Sequence, residues 1–206
     1  MGSKFNSGDG ERTAMLGYVP QYEIAASLIY EVLLDGSLDW FRVADPNAGS
    51  LDDILIATTG KLDAYQVKWA EFTGIISYSD FVRDHKTKKG DVKPSLLRQL
   101  AEGWLQLTAQ HKERSIKVHL LHKLVPSSNP KAKIPLGEIQ PKHAHFQSFL
   151  KECWLDRSWC QSGLDAVPES WKETLFDLKK RLGFDNEELL KFIPCCELEL
   201  DRKSVV

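Results

Sequence analysis

Ser-Leu-Asp-Asp-Ile-Leu-Ile-Ala-Thr-Thr-Gly-Lys-Leu-Asp-Ala-Tyr-Gln-Val-Lys occupies residues Ser50–Lys68. Two apolar runs rich in β-formers, Ile54–Ala57 and Leu62–Val67, flank Thr-Gly-Lys, the composition of a β-hairpin. A two-residue turn at Gly60-Lys61 pairs Asp53 with Lys68 and Leu55 with Gln66. Side chains alternate along a strand, so Asp53, Gln66 and Lys68 fall on one face at the exposed open end of the hairpin. An acid, an amide and an amine gathered there have two readings. One is a surface ion pair of Asp53 with Lys68, contributing about 0–1 kcal/mol. The other is a reactive cluster.

Outward from the hairpin, the apolar periodicity specifies an α/β chain. Met1–Ala14 is polar and rich in Gly and Ser, and reads as a mobile tail. Pro20 suits the first turn of a helix in which Tyr22, Ala25, Ala26, Ile29, Val32 and Leu33 recur at three- and four-residue steps. Leu38–Val43 reads as a strand. After the hairpin, Ser77-Tyr-Ser-Asp-Phe reads as a short helix capped by Ser79. Pro94 opens a long helix buried through Leu97, Leu100, Ala101 and Trp104, with Gln99 facing outward. Ile116, Val118 and Leu120 then alternate as a strand, with His119 and His122 expected at the surface. The order α-β-β-β-α-β gives a mixed β-sheet flanked by helices. Pro126–Pro141 is a polar, proline-rich loop. Beyond it come helices around Phe146–Trp154 and Pro168–Gly183, a capping box at Asp185 and Glu188, and a closing strand of Cys196, Leu198 and Leu200. The expected division is a tail over 1–14, a core over 15–125, and a loop with a C-terminal helical extension over 126–206, packed on that core.

The chain has 206 residues, enough for a substantial core, and a net charge of −2, which gives no global attraction to nucleic acid. Local segregation has to supply any such site. Between Arg83 and Arg98, the cations Arg83, Lys86, Lys88, Lys89, Lys93 and Arg98 stand against Asp84 and Asp91. Such a loop either runs along a phosphate backbone or is simply solvated. No apolar run reaches the ~18 residues of a membrane span. Cys153, Cys160, Cys195 and Cys196 lack Cys-x-x-Cys spacing and read as reduced thiols of a cytoplasmic protein.

Asp at the head of one strand with (Asp/Glu/Gln)-x-Lys on the next, here Asp53 and Gln66-Val67-Lys68, resembles the signature of the PD-(D/E)xK nuclease superfamily. Gly17-Tyr18-x-x-Gln21, Asp52-Asp53-Ile54, Tyr65-Gln-Val-Lys and Leu96-Leu-x-Gln-Leu-x-x-Gly-Trp104 together resemble one subgroup. It comprises the Cap-type, Mrr-like effector nucleases of bacterial anti-phage systems, including domains at the N-terminus of antiviral STAND NTPases (Avs). The resemblance implies a restriction-endonuclease-like fold and cleavage of double-stranded DNA with little sequence preference. It implies Mg²⁺, with Mn²⁺ as a substitute, held by Asp53 and Gln66 with Asp52 as a helper. Lys68 would orient the attacking water or stabilise the pentavalent oxyanion. Gln21, and after it Glu23, would reach the site from the first helix. A larger parent protein would bring copies together, through the C-terminal region Pro141–Phe192 and its Trp154, Trp159 and Trp171. Gln66 stands where most members have an acid, so the site carries one negative charge fewer and binds metal more weakly. That departure carries the alternative: a catalytically degenerate nuclease fold used as a nucleic-acid-binding or assembly module.

Overall fold

The hairpin turns one residue earlier than its spacing predicts. The computed structural model describes residues 7–69, 74–87, 89–130, 134–136 and 144–200. In it Thr58 pairs with Lys61 and Ile54 with Tyr65, so the turn is Thr59-Gly60. Gly60 takes the second turn position at φ +72°, a left-handed conformation that glycine adopts without steric cost. Extending that register sets Asp53 across from Gln66 rather than Lys68. The partner moves by two residues along the strand, an even step, so Asp53, Gln66 and Lys68 still share a face.

The first helix, α1, is Ser7–Leu34, and β1 is Leu38–Val43. The hairpin strands Ile54–Thr58 and Lys61–Lys68 are β2 and β3, followed by the short strand β4 (Ile75–Ile76) and α2 (Tyr78–Val82). Next come β5 (His85–Lys86), β6 (Val92–Lys93), α3 (Leu96–Gln110), β7 (Ser115–His122) and β8 (Val125–Pro126). The C-terminal part holds α4 (Phe146–Phe149), α5 (Ser158–Ser162), α6 (Lys172–Leu182), α7 (Asn186–Cys195) and β9 (Cys196–Leu200). None of the described helices is long and apolar enough to cross a membrane.

The main sheet has the order β1-β2-β3-β7-β9. β1, β2 and β3 form an antiparallel meander, while β7 lies parallel to β3 and β9 parallel to β7. One face carries Leu55, Ala57, Leu62, Ala64, Val118, Leu120 and Cys196 into a core shared with α3, α6 and α7. The other carries Ile54, Ile56, Tyr65, Val67 and Leu121 against Ile24 and Ala25 of α1. The fold is therefore α/β, a mixed sheet flanked by helices. The C-terminal region is built into the same core, and β9 extends the sheet.

Several local expectations change. α1 begins at Ser7, inside the stretch read as a tail, and Pro20 lies within the helix instead of in its first turn. Glu11, Arg12, Ala14, Met15 and Leu16 favour helix, and their propensity carries the helix past a proline that withholds one backbone donor. Ser77, not Ser79, caps α2, in a reciprocal box with Asp80. The box at Asp185 and Glu188 forms as expected, with both bonds made. Trp154, Trp159 and Trp171 are buried, and their indole N–H groups donate to Cys196 O, Cys153 O and Glu152 Oε2 at 3.1, 2.9 and 3.0 Å. They are core, so the interface expected there loses its anchors.

Helix α3 meets the loop before β2 at Gly103, where an added Cβ would collide with Cγ and Cδ1 of the buried Leu51. Gly→Ala inside a helix ordinarily gains about 1 kcal/mol. Overpacking a closed core costs about 1–3 kcal/mol. Gly103→Ala should therefore lower the melting temperature, and a raised one would mean that Leu51 yields freely.

Candidate active site

Asp53 stands where β2 begins, with its backbone tied to β1 through Ala44 N–H donating to Asp53 O at 3.0 Å. Beyond Ile54 the β2–β3 ladder ends, yet β3 runs on to Lys68. The Asp53 carboxylate takes over there. Its Oδ2 accepts the Val67 backbone N–H at 2.7 Å and also a short bond from Gln66 Nε2. Gln21 Nε2, reaching in from α1, donates to both Oδ1 and the carbonyl of Asp53 at 3.2 Å. Gln21 and Gln66 are both buried. The site is thus not the exposed strand end that the hairpin alone suggested.

Burial raises the Asp53 carboxyl above its usual range, against the Val67 N–H and the Lys68 charge, while Asp52 adds to the rise. Burial likewise lowers the Lys68 ammonium, with Asp53 opposing and Lys93 assisting. A surface ion pair would shift both groups the other way, holding each in its charged form. Desolvation wins here, and the surface-pair reading does not describe the site.

The parallel register of β3 and β7 puts His122 beside Lys68. His122 is buried rather than exposed, and burial, followed by the charge of Lys68, pushes its pKa down to about 4. Its Nδ1 accepts the Leu124 backbone N–H at 3.1 Å, so the neutral ring carries its proton on Nε2. Lys68, His122, Lys93, His85 and Gln99 line an open cleft of about 520 Å³. Gln99 is buried at its edge, its Nε2 donating to Pro94 O at 2.7 Å, where an outward position was expected. His122 was legible in principle: it continues the alternation of Ile116, Val118 and Leu120.

The basic stretch folds as a small antiparallel hairpin, with His85 opposite Lys93 and Lys86 opposite Val92. His85 and Lys93 share the face toward the cleft. Arg83, Lys86, Lys89 and Lys93 are exposed, while Lys88 lies outside the described residues. Arg98 is not available in the same way. Its guanidinium donates to Asp84 at 2.7 Å and Glu102 at 3.0 Å, anchoring the hairpin to α3. Glu23 is exposed, two residues and about 200° round α1 from Gln21, and is not brought to Asp53. Asp52 acts on Asp53 only through its charge.

No family model matches the chain, and no curated protein matches it. The chemistry of the cluster is therefore argued from its own atoms.

Among the described residues no three His, Cys, Asp or Glu side chains converge as a metal site. A cation at Asp53 would have one carboxylate, the Gln66 amide oxygen once that amide turns over, and oxygens from water and substrate. Mg²⁺ accepts such a sparse protein shell, keeping several waters and using substrate phosphates. The donor set fits a hard divalent ion.

Because Asp53 holds its proton more tightly folded than unfolded, its charge destabilises the fold above the unfolded carboxylate range. That penalty disappears as pH falls through the range, where both states are protonated. Asp53→Asn, which keeps an acceptor for Val67 N–H, should melt above wild type at neutral pH, the gap closing on acidification towards about pH 4. A variant less stable than wild type at neutral pH would contradict this account of the carboxylate.

Proposed function

We propose that this chain is a metal-dependent endonuclease domain that hydrolyses phosphodiester bonds of double-stranded DNA. The observation that carries the reading is Asp53 bonded to Gln66 and close enough to Lys68 to feel its charge, with Lys68 itself lining a cleft beside an exposed basic hairpin. A divalent cation, when bound, supplies charge neutralisation at the phosphate and lowers the pKa of a water molecule. Asp53 and Gln66 would hold it, and Gln21 fixes the Asp53 carboxylate in place. Hydrolysis forms one P–O bond to water and breaks one P–O bond to a sugar oxygen. Lys68 Nζ orients the water and donates to the oxyanion that builds up on phosphorus. His122 presents a neutral Nε2–H to the same space. Lys86, Lys89, Lys93 and Arg83 track the backbone through phosphate contacts, which position the duplex without reading sequence.

The motifs that resemble Cap-type effectors extend the proposal to a cytoplasmic anti-phage role, in which a larger parent protein gathers several copies. One observation favours a second reading. The amide at Gln66 and the three N–H donors already on Asp53 also suit a degenerate site that binds nucleic acid or assembles without cutting it.

Cleavage of plasmid DNA with and without Mg²⁺ separates the two. Asp53→Asn and Lys68→Ala should each abolish metal-dependent cutting, and wild-type rates in either would remove the catalytic assignment. Gln66→Glu should bind Mg²⁺ more tightly, since it restores a negative charge. For the binding track, neutralising Lys86, Lys89 and Lys93 should flatten the slope of log K against log salt by up to about 0.9 per lost contact. An unchanged slope would return the hairpin to ordinary solvated surface.

A further inference from the structure

Helix α1 is apolar round too much of its circumference for the contacts it makes. Ile24 and Ala25 are buried against the sheet, with Leu28, Ile29 and Val32 packed beside them. Yet Met15, Tyr18, Val19, Tyr22, Tyr30 and Leu33 stand between 50% and 62% exposed. At 100° per residue these six fall within about 120° of arc, next to the buried stripe. Glu23, Ser27 and Glu31 occupy the remaining third, with the exposed Leu34 among them at the end of the helix. Monomeric proteins rarely leave so continuous an aromatic stripe in water.

The middle of the stripe, from Val19 to Leu33, is symmetric about Ala26, which is itself exposed. Tyr22 and Tyr30 lie four residues to either side, and Val19 and Leu33 seven. A two-fold axis running between the Ala26 residues of two copies would set the second α1 antiparallel on the first. Tyr22 of each copy would meet Tyr30 of the other, and Val19 would meet Leu33, while the small Ala26 lets the helices approach at the crossing. Self-complementarity of this kind is what an isologous interface requires, and no unrelated partner does. The area suits it as well. Side chains of this size, rather more than half exposed, offer on the order of 600 Å² per copy, the lower end of the range for a specific interface.

We infer that α1 is the dimer interface of this chain, pairing antiparallel with α1 of a second copy about Ala26. The inference stands apart from the nuclease proposal, because its readout is mass and not cleavage.

Sedimentation velocity across the micromolar range should show a monomer–dimer equilibrium. Tyr22→Lys and Tyr30→Glu should each weaken the dimer by about 30-fold or more. The double variant should recover it, since the antiparallel pairing sets Lys against Glu. Circular dichroism would check that each variant keeps its helix content. Independently of those changes, Ala26→Cys should give a disulfide-linked dimer on mild oxidation, seen by non-reducing electrophoresis and missing from wild type. Any of four results would overturn the inference: a wild-type chain that stays monomeric throughout, single variants that dimerise like wild type, a double variant no better than the singles, or an Ala26→Cys variant that fails to cross-link.

Discussion

The acceptance of the Val67 backbone N–H by the Asp53 carboxylate is the contact on which the candidate site depends. β2 stops at Ile54 while β3 continues, which leaves β3 donors facing no strand carbonyl. An unpaired buried N–H costs about 1–3 kcal/mol, so a side-chain oxygen at that point is a structural need before it is a chemical one. Asp53 meets it and is thereby drawn out of water. Gln66 from β3 and Gln21 from α1 then close on the same carboxylate. The acid is therefore aimed by the fold and not by Lys68. Its raised pKa follows from the same burial, as does the lowered one of Lys68.

The charge pattern follows a similar logic at longer range. With a net charge of −2 any cationic patch is local, and that of the small hairpin keeps its charge because an acid holds its scaffold without neutralising the exposed lysines. Asp84 does this. Its carboxylate accepts Ser95 N–H at 2.9 Å and Arg98 at 2.7 Å, so one acid ties down the start of α3 and pins the hairpin's base. Arg98 is used up in the process, and Lys93 stays exposed next to the cleft. The cations are thus divided between those that build the hairpin and those it presents.

What was legible in the sequence was whatever a period of two or of 3.6 residues encodes. The alternation of Leu55 and Ala57, of Leu62 and Ala64, and of Ile116, Val118 and Leu120 sorts side chains to faces whatever the turn does. That is why misplacing the turn by one residue left Asp53, Gln66 and Lys68 together. What was not legible depends on contacts distant in sequence. The parallel register of β7 with β3, which brings His122 to Lys68, is set by a crossover through α3. The burial of Trp154 involves β9, whose Cys196 carbonyl accepts the indole N–H, while Trp159 and Trp171 bond to Cys153 and Glu152. Composition alone cannot separate an aromatic residue that fills a core from one that awaits a partner. Arg98 with Glu102 is an i, i+4 pair in plain view, hidden only when cations are counted by sign alone.

Helix α1 leaves its tyrosines exposed, whereas Trp154, Trp159 and Trp171 of the C-terminal region are buried. Gln21 and Tyr22 are neighbours in sequence but point about 100° apart, the first to Asp53 and the second to water. One helix therefore carries a bond to the candidate catalytic carboxylate and a residue of the exposed stripe within a single turn. Pro20 sits immediately before them and removes one backbone hydrogen bond, a local weakness in an otherwise continuous helix. Whatever covers the stripe bears on the segment that orients Asp53. Gln21 is the side chain through which that segment holds the carboxylate.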